Sequence, residues 1–153
     1  MSTKAQLKKL YATIFPGMRI RFVTTSRVRR VRGKSATARY EKHKEAARAL
    51  VHRKLEAFNA HYDFTYHRVA IRDQKSRWGS CSKKGNLNFN YRLLFLPEPL
   101  VDAVIVHELC HLREFNHGPR FWMLVAEMIP DHKKRKVALA KISVRSLGKI
   151  VSE

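Results

Sequence analysis

Residues 106–112, Val-His-Glu-Leu-Cys-His-Leu, set two histidines four positions apart, with a glutamate directly after the first. They lie in an apolar run from Leu100 to Leu112 that only Asp102, His107, Glu108 and His111 interrupt. Pro97-Glu98-Pro99 supplies a proline for a first helical turn and an acid where the helix dipole favours one, so the run predicts a buried helix over about 99–115. Four residues is little more than one turn, so both imidazoles leave the same face and can converge on one cation. Zinc is the natural occupant of such a pair. Glu108, about 100° further round, can address a water on that ion and take its proton without competing for a ligand position. With eight His among 153 residues, and as many Glu, chance supplies this pattern about 0.02 times. The bland alternative is two core histidines that satisfy each other or a carbonyl. It would bury two imidazoles and a carboxylate beside Val104, Ile105, Val106 and Leu109, which offer them no partners.

A catalytic zinc takes three protein ligands and keeps one position for water. His117 is the expected third ligand: it follows Asn116, which can end the helix in a left-handed conformation and turn the chain back toward the ion. Glu127 and His132 are the competitors. The same ligand spacing occurs in metzincin proteases, but their glycine position holds Glu114 here and no convincing Met-turn follows. His43, His52, His61 and His67 lie in the basic half and read as solvent-facing or locally satisfied.

Outward from this centre, residues 4–15 show Leu7, Leu10, Tyr11 and Ile14 at helical spacing up to Pro16-Gly17, and residues 18–34 alternate apolar positions with arginine as a strand does. Residues 38–61 predict a long basic helix with Ala46, Ala47, Leu50, Val51, Leu55 and Phe58 on one side. Tyr66–Arg72 reads as a strand and Leu87–Tyr91 as a second, paired with it as a hairpin, with Gly79 and Lys83-Lys84-Gly85-Asn86 as turn residues between. Leu87–Tyr91 is a candidate sheet edge for strand addition by a peptide, the alternative being an ordinary solvated edge. Gly118-Pro119 opens a further helix to Pro130, in which Phe121 and Trp122 read as core, and a basic helix follows from Asp131. Arg77 and Trp78 are candidate cleft-lining, substrate-binding residues, although a tryptophan is often simply core. Cys110 faces away from the histidines and reads as a small buried hydrophobe, and Cys81 as nothing more.

Lys75-Ser-Arg-Trp-Gly-Ser-Cys-Ser82, Asn86-Leu-Asn-Phe-Asn-Tyr-Arg92, the stretch 106–112 and Asn116-His-Gly-Pro-Arg-Phe-Trp122 together resemble the signature of the YgjP-like metal-dependent hydrolases. Those are related in their zincin core to SprT-like and Wss1-like proteases. The resemblance covers about residues 40–140. It implies an α+β, minimal zincin-like fold: a small antiparallel or mixed sheet packed on the H-E-x-x-H helix, with additional helices. It also implies His107, His111 and His117 as ligands of one Zn2+ and Glu108 as catalytic base. Residues 1–39 then form a basic helix and strand segment, 40–130 the catalytic core and 131–153 a basic helical tail.

A single-domain length of 153 residues, 44% apolar and 29% charged, is globular. No apolar run of ~18 residues marks a membrane span, the first residues lack the apolar core of a secretory signal, and two cysteines exclude a disulfide scaffold or a four-cysteine zinc site. A cytoplasmic location is the expectation. The formal charge of +20, from 32 Lys and Arg against 12 acids, favours a polyanionic partner, nucleic acid first, although basic runs are often only solvated faces. Three functions are compatible with these residues. The first is a zinc peptidase acting on proteins or peptides, including proteins held on nucleic acid. The second, described for YgjP-like proteins, is a metal-dependent nucleoside triphosphate (UTP-type) pyrophosphatase whose arginines hold the triphosphate. The third is a non-enzymatic nucleic-acid-binding module with a structural zinc.

Overall fold

A computed structural model describes residues 9, 12, 13, 16, 35–145 and 147. Apart from those isolated positions, the helix expected over 4–15 and the strand expected over 18–34 lie outside the described residues.

Helix α1 (Ser35–Tyr62) is the long basic helix. Ala47, Val51 and Leu55 recur every four positions, Tyr62 follows two turns later, and all four are buried, which leaves Lys42 and Arg53 on its exposed side. Asp63 ends it in left-handed backbone, φ 52°. The Asn59 side chain then accepts from the Phe64 N–H and donates to the Phe64 carbonyl, both at 2.9 Å, so the exit is satisfied.

Strands β1 (Arg68–Arg72), β2 (Gly79–Cys81) and β3 (Asn86–Asn90) form a mixed sheet in the order β1-β3-β2. β3 runs parallel to β1, with Phe89 opposite Ile71, and antiparallel to β2, with Phe89 opposite Gly79. This corrects the expected hairpin between 66–72 and 87–91. The chain reverses twice, once after β1 and once between β2 and β3, so it returns to its first direction. The hairpin is β2–β3, and Gly85 takes φ 73° in its turn. The edge expectation for Leu87–Tyr91 is corrected as well: β3 is central, its backbone used on both sides, and β2 has β3 as its one sheet neighbour among the described residues. Leu87 and Phe89 point into the core and are fully buried, while Asn86 and Asn88 alternate onto the wetter face.

A 3-10 turn (Tyr91–Phe95) leads into α2 (Glu98–Cys110), followed by α3 (Pro119–Met128) and α4 (His132–Ala140). α2 is apolar nearly all round because it is the central helix, packed on α1, β2, α3 and α4. Lys54 of α1 pairs with Glu98 and, at 2.8 Å, with Asp102, joining the two helices near the start of α2. α2 ends at Cys110, short of the expected residue 115, and Asn116 does not adopt left-handed backbone. The reason is local: the N–H groups of Leu112, Arg113 and Glu114 satisfy the carbonyls of Leu109 and Cys110 through tight right-handed turns. Ala138, Ile142 and Leu147 join the same buried cluster as Leu109. No helix among the described residues is long and apolar enough to cross a membrane.

Candidate active site

His107 projects from the last turn of α2, His111 caps that helix, and His117 returns from the turn before α3. Their side chains meet. Nε2 of His107 lies 3.1 Å from Nε2 of His111 and 3.0 Å from Nε2 of His117, and the three donor nitrogens lie within 4.8 Å of one another. All three rings pack on the buried ring of Phe121 near the start of α3, with centroids 4.5–4.9 Å away. The Glu114 carbonyl accepts from Nδ1 of His111 at 3.0 Å, which places the proton on Nδ1 and leaves the Nε2 lone pair toward the cluster. Trp122 Nε1 donates to the His117 carbonyl at 3.0 Å and the two rings stack, holding the returning turn in place.

Burial and the neighbouring histidines push His107 down to about 3, and burial lowers His111 too, so these imidazoles are neutral near pH 7. Three imidazole nitrogens, one tautomer set by a backbone carbonyl and no carboxylate in the group form a donor set that fits one divalent transition-metal ion. The competitors lie elsewhere. Glu127 pairs with His61 at 2.9 Å, and His132 stacks on Trp122 with ring centroids 5.1 Å apart.

Glu108 is 7% exposed, and burial pushes its carboxyl up to about 8, a rise that the Arg77 charge moderates. Gly79 stands directly against it: a Cβ at residue 79 would lie 2.8 Å from Glu108 Cγ. The turn role expected for Gly79 is therefore corrected. It opens β2 without positive φ, and what matters is the missing side chain.

His107 and Glu108 form one wall of a cleft of about 290 Å³. Arg77, Trp78 and Gly79 line it from the sheet side, Trp122 and Val125 from α3, and His132, Lys136 and Leu139 from α4. Arg77 and Trp78, the residues expected to line a cleft, border this one. Phe121 is core but Trp122 is not: it is partly buried and faces the cleft, because α3 turns its Phe121–Val125 side inward. Sequence reasoning missed Asn90. Fully buried, it donates through Nδ2 to the carbonyls of Gln74 (2.6 Å) and Arg77 (2.9 Å), accepts from the Arg92 N–H, and donates its own N–H to the Trp78 carbonyl at 2.8 Å. It anchors the loop that presents Arg77 and Trp78. In sequence it looks like another polar position of an alternating strand, so no local signal marks it. Cys110 is buried, as expected of a small hydrophobe.

Compared with protein families, the chain matches the YgjP-like metallopeptidase domain over residues 18–142, which contains all four motifs and begins upstream of the resemblance read over about residues 40–140. Among solved structures it is similar to the metallopeptidase zymogen of Pyrococcus abyssi abylysin, with 25% identity and a TM-score of 0.52 over 60% of this chain and 90% of that one. A search of curated proteins gives no match.

Proposed function

Because this chain belongs to the YgjP-like metallopeptidase-domain family and is accordingly a metallohydrolase, we propose that it is a zinc peptidase in which His107, His111 and His117 hold the ion and Glu108 is the general base. The observation that carries this reading is the convergence of three imidazole nitrogens next to a buried carboxylate on the same helix. Zinc bound there supplies Lewis-acid polarisation of the scissile carbonyl and a more acidic water. Glu108, directly after His107 on the same helix, accepts the proton of the attacking water and returns it to the departing amine. Gly79 keeps Glu108 at its place, and Arg77 and Trp78 border the space the substrate enters. β2, an edge strand of the sheet among the described residues, offers an extended peptide a place to add alongside Glu108. The charge of +20, with Lys42, Arg53 and Lys133 exposed, suits protein substrates held on nucleic acid.

The test is cleavage of unfolded protein by the zinc-loaded chain, with UTP hydrolysis measured in parallel. Glu108→Gln is expected to lower peptide turnover by roughly 10²–10⁴-fold with zinc content retained, and His117→Ala to lose zinc. Equal proteolysis by the wild type and Glu108→Gln sinks the proposal. Glu108-dependent release of pyrophosphate without proteolysis transfers it to the nucleotide reaction.

A further inference from the structure

We infer that the cleft beside Glu108 is a specificity pocket for an apolar residue that carries, or directly adjoins, a carboxylate; the inference rests on the peptidase reading above. Val104, Val125, Leu139 and the Trp122 ring make its walls apolar, and at about 290 Å³ it has room for one large side chain rather than a folded segment. Its charges are uneven. Arg77 enters from the sheet side and Lys136 from α4, whereas Glu108 is the one acid among the lining residues. Nearby acids are already engaged: Asp131 pairs with Arg135 at 2.8 Å, and Asp73 with Arg92. Among the described residues no ion pair takes up Arg77 or Lys136. The Lys136 ammonium sits 4.8 Å from the centre of the Trp122 ring, a cation–π contact that keeps it at the pocket wall. Two cations from different elements over an apolar floor attract a carboxylate and repel a substrate lysine or arginine. The carboxylate has two sources, an acidic side chain next to the apolar residue or the free C-terminus of the substrate.

Binding of 3-phenylpropionate and of 3-phenylpropionamide to the zinc-loaded full chain, measured by titration calorimetry, tests the pocket without requiring turnover. Arg77 and Lys136 are both exposed, so Arg77→Gln and Lys136→Glu leave the core intact. The carboxylate is expected to bind roughly tenfold more tightly than the amide, and this preference to vanish in both variants. Equal binding of the two probes overturns the inference. So does a carboxylate preference that survives both substitutions, because the ion alone then explains it. Tighter binding of UTP than of phenylpropionate, lost in the same variants, assigns the pocket to nucleotides instead.

Three peptides locate the source: Phe-Glu with an amidated end, Phe-Gln with a free end, and Phe-Gln amidated. Faster cleavage of the first or the second identifies it, and no difference among the three overturns the inference. If the wild type cleaves neither these peptides nor unfolded protein yet keeps the phenylpropionate preference, the pocket stands and the peptidase reading falls.

Discussion

Gly79 and Glu108 come from distant parts of the chain and touch so closely that the glycine sets where the carboxylate can be. Gly79→Ala puts a methyl 2.8 Å from Glu108 Cγ and must displace it. The expected result is a loss of turnover of roughly 10²-fold, because about an ångström of misplacement is enough, against a stability change of only ~1–3 kcal/mol. Unchanged steady-state kinetics would show that Glu108 does not depend on this contact. Glu108 also makes a pH prediction for the metal-free chain. Its carboxyl rises from 4.5 to about 8 on folding, so between those values the folded state holds a proton that the unfolded state releases. Stability that is present below pH 4.5 is thus lost as pH rises toward 8. His107, lowered on folding, acts with the opposite sign below its ordinary 6.5, so the comparison of wild type with Glu108→Gln isolates the carboxyl. Denaturant unfolding at pH 5 and pH 8 is expected to show the wild type losing a few kcal/mol relative to Glu108→Gln, on the order of the shift. Parallel pH profiles would exclude a buried, protonated Glu108.

Among the elements, α2 announced itself, because a thirteen-residue apolar segment opened by prolines has few other folds open to it. The sheet was only half readable. Alternation marked β1 and β3, but Gly79–Cys81 is three residues long with no apolar period of its own, so neither β2 nor the strand order followed from local pattern. The loop between β1 and β2 hangs on Asn90. Asn90→Ala leaves the Arg77 carbonyl without its side-chain donor, the Gln74 carbonyl with Arg92 Nη1 alone, and the Arg92 N–H without its acceptor. A destabilisation of ~1–3 kcal/mol is expected, since buried polar groups lose partners, together with a raised KM as Arg77 and Trp78 drift. Thermal unfolding and substrate titration check the two parts. An unaltered KM would detach that loop from substrate binding.

At the scale of the molecule the dominant property is its charge of +20. If nucleic acid is held by phosphate contacts, affinity for a DNA duplex falls linearly in log–log form as salt rises, with little dependence on base sequence. Fluorescence anisotropy across a salt series measures this, and an absence of binding at low salt removes the nucleic-acid link from the proposed function. The sequence by itself determined the candidate metal-binding group. Helical periodicity places His107 and His111 on one face whatever surrounds them, and the spacing to His117 left it within reach of that face. It also determined the helical frame, since the apolar period of α1 and the apolar run of α2 are properties of the chain alone. Only the tertiary structure decided what those residues face. Phe121 became the platform under the three rings, Gly79 the gap that admits Glu108, Asn90 the anchor of a remote loop, and Arg77 and Lys136 the two sides of one cleft. Each of these depends on atoms brought together from separate elements, and a contact between elements leaves no period or spacing in either of them.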